Sequence, residues 1–259
     1  MQDECIITTM YHETYKKGYS VLPQLSRITV DKVFEVTLKD QMQFLEAKRE
    51  AVKLQTAFAE HDMDDDIYET ICRFIVEQYP IRLNEPFTFS NIAMQIQEDI
   101  AIHRLSDDRD WLAAAHICFP SGWNPMDKIG RPLSEIHAPI PGMNLSRSRK
   151  LVETMVNHGP FERFVWSVVF DDRINFHPRT PKKKFDPSNP CVFIKVERQL
   201  VVGFPEHSAS LFVMRQHLIR DNIDKPELVK SLLSMTEDQR IYKGINDEFD
   251  VLISWLSNS

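Results

Sequence analysis

The hydrophobic pattern of this chain changes period at Pro80, and that change sets the class of fold open to it. Over residues 38–61, Leu38, Met42, Leu45, Arg49, Val52 and Phe58 recur at helical spacing in a stretch rich in Leu, Ala, Gln, Glu and Lys. That spacing predicts a long amphipathic helix. The cluster Asp62 to Asp66 ends it and caps a second helix over 67–78, which stops before Pro80. Beyond Pro80 the runs are strand-like, at 92–105, 111–119, 164–170, 191–204 and 210–218. Turn-forming clusters such as Ser106-Asp107-Asp108-Arg109 and Asp186-Pro187-Ser188-Asn189-Pro190 separate most of them. A further helix is expected over 145–157, and two short ones over 226–235 and 247–256. Helices first, then strands that pair antiparallel around one long insertion, is an α+β order. We expect residues 1–79 to form an extension with helices, packed on a core of residues 80–259 as one compact unit. The β-favouring runs Cys5 to Thr9 and Arg27 to Val30 within the extension carry no clear site.

Several functional classes fall away on composition. With 259 residues, 42% of them hydrophobic, the chain can bury a core without disulfides. Cys5, Cys72, Cys118 and Cys191 are scattered with no C-x-x-C pair, which argues against a zinc site or an iron–sulfur cluster and suits a reducing compartment. A net charge of −7 disfavours broad nucleic-acid binding. Lys182, Lys183 and Lys184 sit in a proline-rich loop and read as a solvated cluster. No run reaches the roughly 18 apolar residues of a membrane span, and no signal-peptide pattern opens the chain. A soluble, cytoplasmic protein is expected. The acidic run Asp62, Asp64, Asp65 and Asp66 is not a calcium loop, because Ile67 and Arg73 stand where the glycine and the glutamate of an EF-hand belong. No Gly-rich nucleotide loop is present.

The unusual chemistry lies between His116 and Gly142, where five prolines and three glycines describe a loop fixed by turns. A long, stiffened loop in a compact domain is more often functional than structural. Trp123 offers a flat apolar surface, Lys128 and Arg131 offer cations, and His137 lies between the apolar residues Ile136 and Ala138. Apolar walls, cations for carboxylates and an imidazole for iron are the parts that hold haem. On residue chemistry alone, a lone histidine serves a structural role at least as well.

The order of the residues adds a second argument. Phe119-Pro120-Ser121-Gly122-Trp123, Lys128-Ile129-Gly130 and Ile136-His137-Ala138-Pro139-Ile140-Pro141 follow one another. Gln97-Glu98-Asp99 precedes them; Arg163-Phe164-Val165-Trp166-Ser167, Glu197-Arg198-Gln199 and Leu211-Phe212-Val213-Met214-Arg215 follow. This series resembles the family of haem-dependent oxidative N-demethylases, such as dimethylamine monooxygenase haem subunits, over roughly residues 65 to 220. The resemblance implies a PAS-like antiparallel sheet that binds haem b, to which the pattern adds the helical N-terminal part and the short C-terminal helices. It implies a monooxygenase that uses dioxygen to remove an N-methyl group from a small amine as formaldehyde. Electrons would come from a separate reductase carrying flavin and an iron–sulfur cluster, for which this chain has no motif. The sequence departs from the family at Val165 (usually asparagine), at Lys195 (often arginine) and at Val202-Gly203-Phe204-Pro205.

On that resemblance His137 is the expected axial ligand of the haem iron, with its other ring nitrogen donating to a carbonyl or carboxylate. Trp123, Lys128, Arg131 and Arg163 are the further cofactor-binding candidates: Trp123 packs on the porphyrin or fills the core, and the cations meet propionates or form surface ion pairs. Glu98 and Arg215 are the catalytic candidates. Glu98 would pair with a protonated amine, or serve as a capping or salt-bridging carboxylate, and Arg215 is also a candidate for a propionate. Glu98 and Asp99 are adjacent, so a strand turns only one of them towards a pocket. His116 reads as a core or supporting histidine, and His177 as a loop residue. A haem-binding sensor or carrier without turnover is the alternative, since a fold does not settle function. A relative that has lost haem is the third.

Overall fold

A computed structural model describes residues 11–37, 41–54 and 57–258. Helix α1 (Gln41–Lys53) ends earlier than the hydrophobic spacing predicts. Residues near its expected end form strand β2 (Phe58–Glu60) instead, because the outer edge of a central strand needs backbone partners. Helix α2 (Asp65–Gln78) follows as expected, with Asp65 and Asp66 in its first turn, where the positive end of the helix dipole favours carboxylates. The run at 92–105 divides. Thr88 accepts a hydrogen bond from the amide of Asn91 and starts a short helix, α3 (Phe89–Ala93), so that the strand begins only at Asp99.

Strands β1 (Ser26–Arg27), β2, β3 (Asp99–Leu105), β4 (Asp110–His116), β5 (Phe161–Val169), β6 (Phe193–Phe204) and β7 (Ala209–Ile219) make one antiparallel sheet in the order β1-β5-β6-β7-β3-β4-β2. Between β4 and β5 lie α4 (Leu133–His137) and α5 (Ser148–Asn157); after β7 come α6 (Lys225–Leu233), α7 (Glu237–Lys243) and α8 (Phe249–Asn258). Of these, α4 and α7 are not marked by the hydrophobic spacing. The protein is therefore α+β, as the order of patterns requires. The run Cys5 to Thr9 lies outside the described residues, as does Leu38, and of Arg27 to Val30 only Arg27 joins a strand.

Alternation along the strands gives the sheet two different faces. On one, Ile100, Ile102, Leu200, Leu211 and Val213 pack with Ile67, Ile71 and Ile75 of α2 and with Val33 and Phe34. Further along the same face, Val168, Ile194 and Val196 meet Leu228 and Leu232 of α6 and Leu252 and Leu256 of α8. The other face is covered by the long connection between β4 and β5. There Val152, Met155 and Val156 of α5 pack with Leu133 and Val201. Helix α5 passes so close that a Cβ at Gly203 of β6 would lie 2.2 Å from the carbonyl oxygen of Val156. Among the described residues no helix is long and apolar enough to cross a membrane.

Candidate cofactor site

Between this second face and its covering loop lies a cavity of about 1320 Å³. Alternate residues of the sheet form its floor: Ala101 and His103 on β3, Leu112 and Ala115 on β4, Lys195, Glu197 and Gln199 on β6, Phe212 and Met214 on β7. Ile117, Leu133, Ile136 and Trp123 extend the apolar wall. Trp123 packs against the cluster of Ala101, Leu112, Ala115, Ile117 and Met214. Residues 17–28 of the N-terminal segment close a further side.

The loop is held at both ends by hydrogen bonds. Asp99 receives the amides of Cys118 at 2.9 Å and Phe119 at 2.7 Å, which fixes its start. Gly122, Gly130 and Gly142 adopt positive φ, which fits the turns expected from their type. Gly130 donates to the carbonyl of Leu112 at 2.8 Å, and Leu112 donates back to Arg131 at 2.9 Å. The turn that carries His137 is anchored just beyond. Asp110 accepts the Leu133 amide at 2.7 Å, and Lys128 Nζ reaches the carbonyl of Ile136 at 3.1 Å.

His137 lines the cavity, and its Nδ1 lies 3.0 Å from the Leu133 carbonyl oxygen. A carbonyl only accepts, so Nδ1 carries the proton and Nε2 keeps a lone pair. Among the described residues Nε2 has no hydrogen-bond partner. Burial pushes the imidazole pKa down to about 4, with a smaller contribution from Arg163, so the ring is neutral at pH 7.

At another part of the cavity the charges are linked in a chain. Arg163 Nε donates to Gln199 Oε1 at 2.7 Å, and Gln199 Nε2 donates to Glu197 Oε2 at 2.8 Å. Ser121 donates to the other oxygen of Glu197 and accepts from Lys195 Nζ at 2.6 Å. Burial lowers Lys195 to about 8 and pulls Arg163 and Lys243 below their ordinary values. Burial alone would raise Glu197, but Lys195 and the Ser121 hydroxyl outweigh it and hold the carboxyl low. Arg163, Lys195 and Lys243 thus gather around Glu197, with Asp99 also acting on Lys195.

Of the residues expected at the site, His137, Trp123, Lys128 and Arg163 gather around this cavity. Arg131 does not: its side chain is half exposed and lies 3.9 Å from Glu135 on the surface. Glu98 and Arg215, expected as catalytic groups, lie on the opposite face of the sheet. The alternation that points Ala101 and His103 into the cavity turns Glu98 away from it. There one oxygen of Glu98 receives the Glu35 amide at 3.2 Å, the other has no partner among the described residues, and burial raises the carboxyl pKa. Arg215 is fully buried with its guanidinium 4.0 Å from the centre of the Phe44 ring. His116 is a buried residue of that opposite face, with Cys118 Sγ 3.7 Å from its Nδ1. His177 is in a loop but buried, with Nε2 3.2 Å from Asn124 Oδ1.

Sequence reasoning missed His103, Lys195, Glu197, Gln199 and Lys243 as cavity residues. For three of them a signal existed: Lys195, Glu197 and Gln199 are polar at every second position of a strand otherwise rich in Ile, Val and Leu. Lys243 arrives on a helix distant in sequence, and nothing local marks it. His103 is defined only by its contact with Asp110 across a hairpin, Nε2 to Oδ2 at 2.8 Å.

Haem needs one protein nitrogen, an apolar slot and cations for two carboxylates, and all three are present. Among the described residues no three His, Cys, Asp or Glu side chains gather as metal ligands. A porphyrin needs no such group, because it supplies four nitrogens itself. Residues 81–253 match the family model described as haem-dependent oxidative N-demethylase, alpha subunit-like.

Proposed function

The chain belongs to the haem-dependent oxidative N-demethylase, alpha subunit-like family, and on that premise we propose that it binds haem b and uses dioxygen to demethylate a small amine. The observation that carries this reading is the neutral His137, with a free Nε2 lone pair on the wall of an apolar cavity. His103, the other histidine of the cavity, is the weaker candidate for iron, because its Nε2 is taken by Asp110. Arg163, Lys195 and Lys243 are the cations we assign to the propionates, which they would meet through charge-assisted hydrogen bonds. Lys128 supports the ligand's turn through the Ile136 carbonyl. Glu197 lines the cavity and Glu98 does not.

Haem bound there would supply the chemistry that reduces dioxygen and oxidises the methyl carbon. In the overall reaction, one N-methyl amine, one dioxygen, two electrons and two protons give the demethylated amine, formaldehyde and water. The electrons come from a separate flavin and iron–sulfur reductase. Residues 80–259 would form the haem-binding unit, with 1–79 as an extension against it. The order of the five central strands (second, first, fifth, fourth and third in chain order) supports the PAS-like reading.

The test is to load the purified protein with haem, supply reductant and oxygen, and assay formaldehyde from a panel of methylated amines. Formaldehyde in step with amine consumption is expected. Tight binding of haem and of a gas without turnover would replace this reading with that of a sensor or carrier.

A further inference from the structure

Asp110 holds the turn that carries His137. Its Oδ2 atom accepts two hydrogen bonds, from the backbone amide of Leu133 at 2.7 Å and from His103 Nε2 at 2.8 Å. Leu133 is the first residue of α4, and its carbonyl is the group that His137 Nδ1 meets at 3.0 Å. A short chain of contacts therefore runs from Asp110 through both backbone groups of Leu133 to the imidazole. The amide at the first position of a helix has no partner inside that helix, and a carboxylate there both satisfies it and favours the helix dipole. Pro132, the residue before, has no side-chain acceptor to cap that amide, and Asp110 of β4 supplies it. Asp110 is buried, at the first position of β4.

We propose that Asp110 is a positioning residue for iron ligation: it fixes the turn that aims Nε2 of His137 into the cavity, and ties that turn to the His103 side of the wall. The inference rests on His137 being the ligand. Groups that orient a ligating histidine change metal affinity by about ten- to hundredfold when removed.

The experiment is a double-mutant cycle on haem loss, measured by transfer to an excess of an apo-globin, with Asp110→Ala, His137→Ala and the pair. Asp110→Ala should speed haem loss by about tenfold or more. Asp110→Asn should fall between it and the parent, because its amide oxygen still accepts from Leu133. In the His137→Ala background, Asp110→Ala should add less than about twofold, since Asp110 acts through His137. An equal added loss in both backgrounds would overturn the proposal and leave Asp110 a general structural residue. The same conclusion follows if Asp110→Ala matches the parent while His137→Ala does not. If His137→Ala itself changes neither haem loss nor spectrum, iron ligation by His137 fails and this inference falls with it. Should Asp110→Ala not fold, Asp110→Asn runs the same cycle. Its iron–imidazole stretching band should shift, whereas an unchanged band and haem-loss rate would overturn the proposal.

Discussion

His137 Nδ1 donates to the carbonyl oxygen of Leu133, one helical turn behind it, at 3.0 Å. This contact settles the tautomer of a half-buried imidazole without help from solvent. It directs the remaining lone pair to Nε2, the ring atom farthest from the backbone. A histidine so fixed pays little ordering entropy when it binds a metal.

The cation cluster should govern haem affinity. Arg163→Ala removes a buried partner for a carboxylate and is expected to weaken haem binding by roughly ten- to hundredfold. Arg131→Ala, on the exposed side of the loop, should change it by less than about twofold. Competitive haem transfer measures both.

Glu98 lies across the sheet from the cavity and its carboxyl is raised by burial. Glu98→Gln should leave the Soret band, haem stoichiometry and KM for any amine unchanged. A selective rise in amine KM would restore Glu98 to the substrate pocket.

Much of this geometry is legible in the sequence, and the part that is not has a physical cause. Strand positions from 161 onward follow local alternation, so 164–169, 193–204 and 210–218 of the expected runs fall within β5, β6 and β7, while 170, 191 and 192 lie just outside. The stiffness of the loop is legible in its prolines and in the glycines at positive φ. The face on which a residue falls is a matter of register, which one slip reverses. The Gln97-Glu98-Asp99 motif shows this: Gln97 binds the backbone of Thr37 at 3.0 and 2.9 Å, Glu98 faces α2's side of the sheet, and Asp99 pins the loop. The short edge strand β2 was hidden because Phe58 also fits a helical period. Its strand form depends on a partner, β4, distant in sequence.

Gly203 is required by the close approach of α5. A methyl there meets backbone oxygens of Val156 and Met155 at 2.2 and 2.7 Å. Gly203→Ala should lower stability by about 2 kcal/mol or more, read as a lower midpoint in urea with the slope unchanged.

His116 predicts a pH dependence. Burial, with the nearby Lys48, lowers it from 6.5 to about 3 in the folded protein. Between those values the unfolded chain binds a proton that the folded protein does not. His116 therefore costs no stability above pH 6.5, and stability falls as pH drops from 6.5 towards 3, by at most about 1.4 kcal/mol per unit. Urea unfolding across that range should show a shallower loss for His116→Gln than for the parent.

Iron ligation by His137 is tested most directly by the absorption spectrum and haem content of His137→Ala beside the parent, both reconstituted with one equivalent of haem. The parent should hold stoichiometric haem with a sharp Soret band. The variant should lose that band or shift it strongly, and added imidazole should restore it in part. An identical spectrum at full stoichiometry would contradict the assignment.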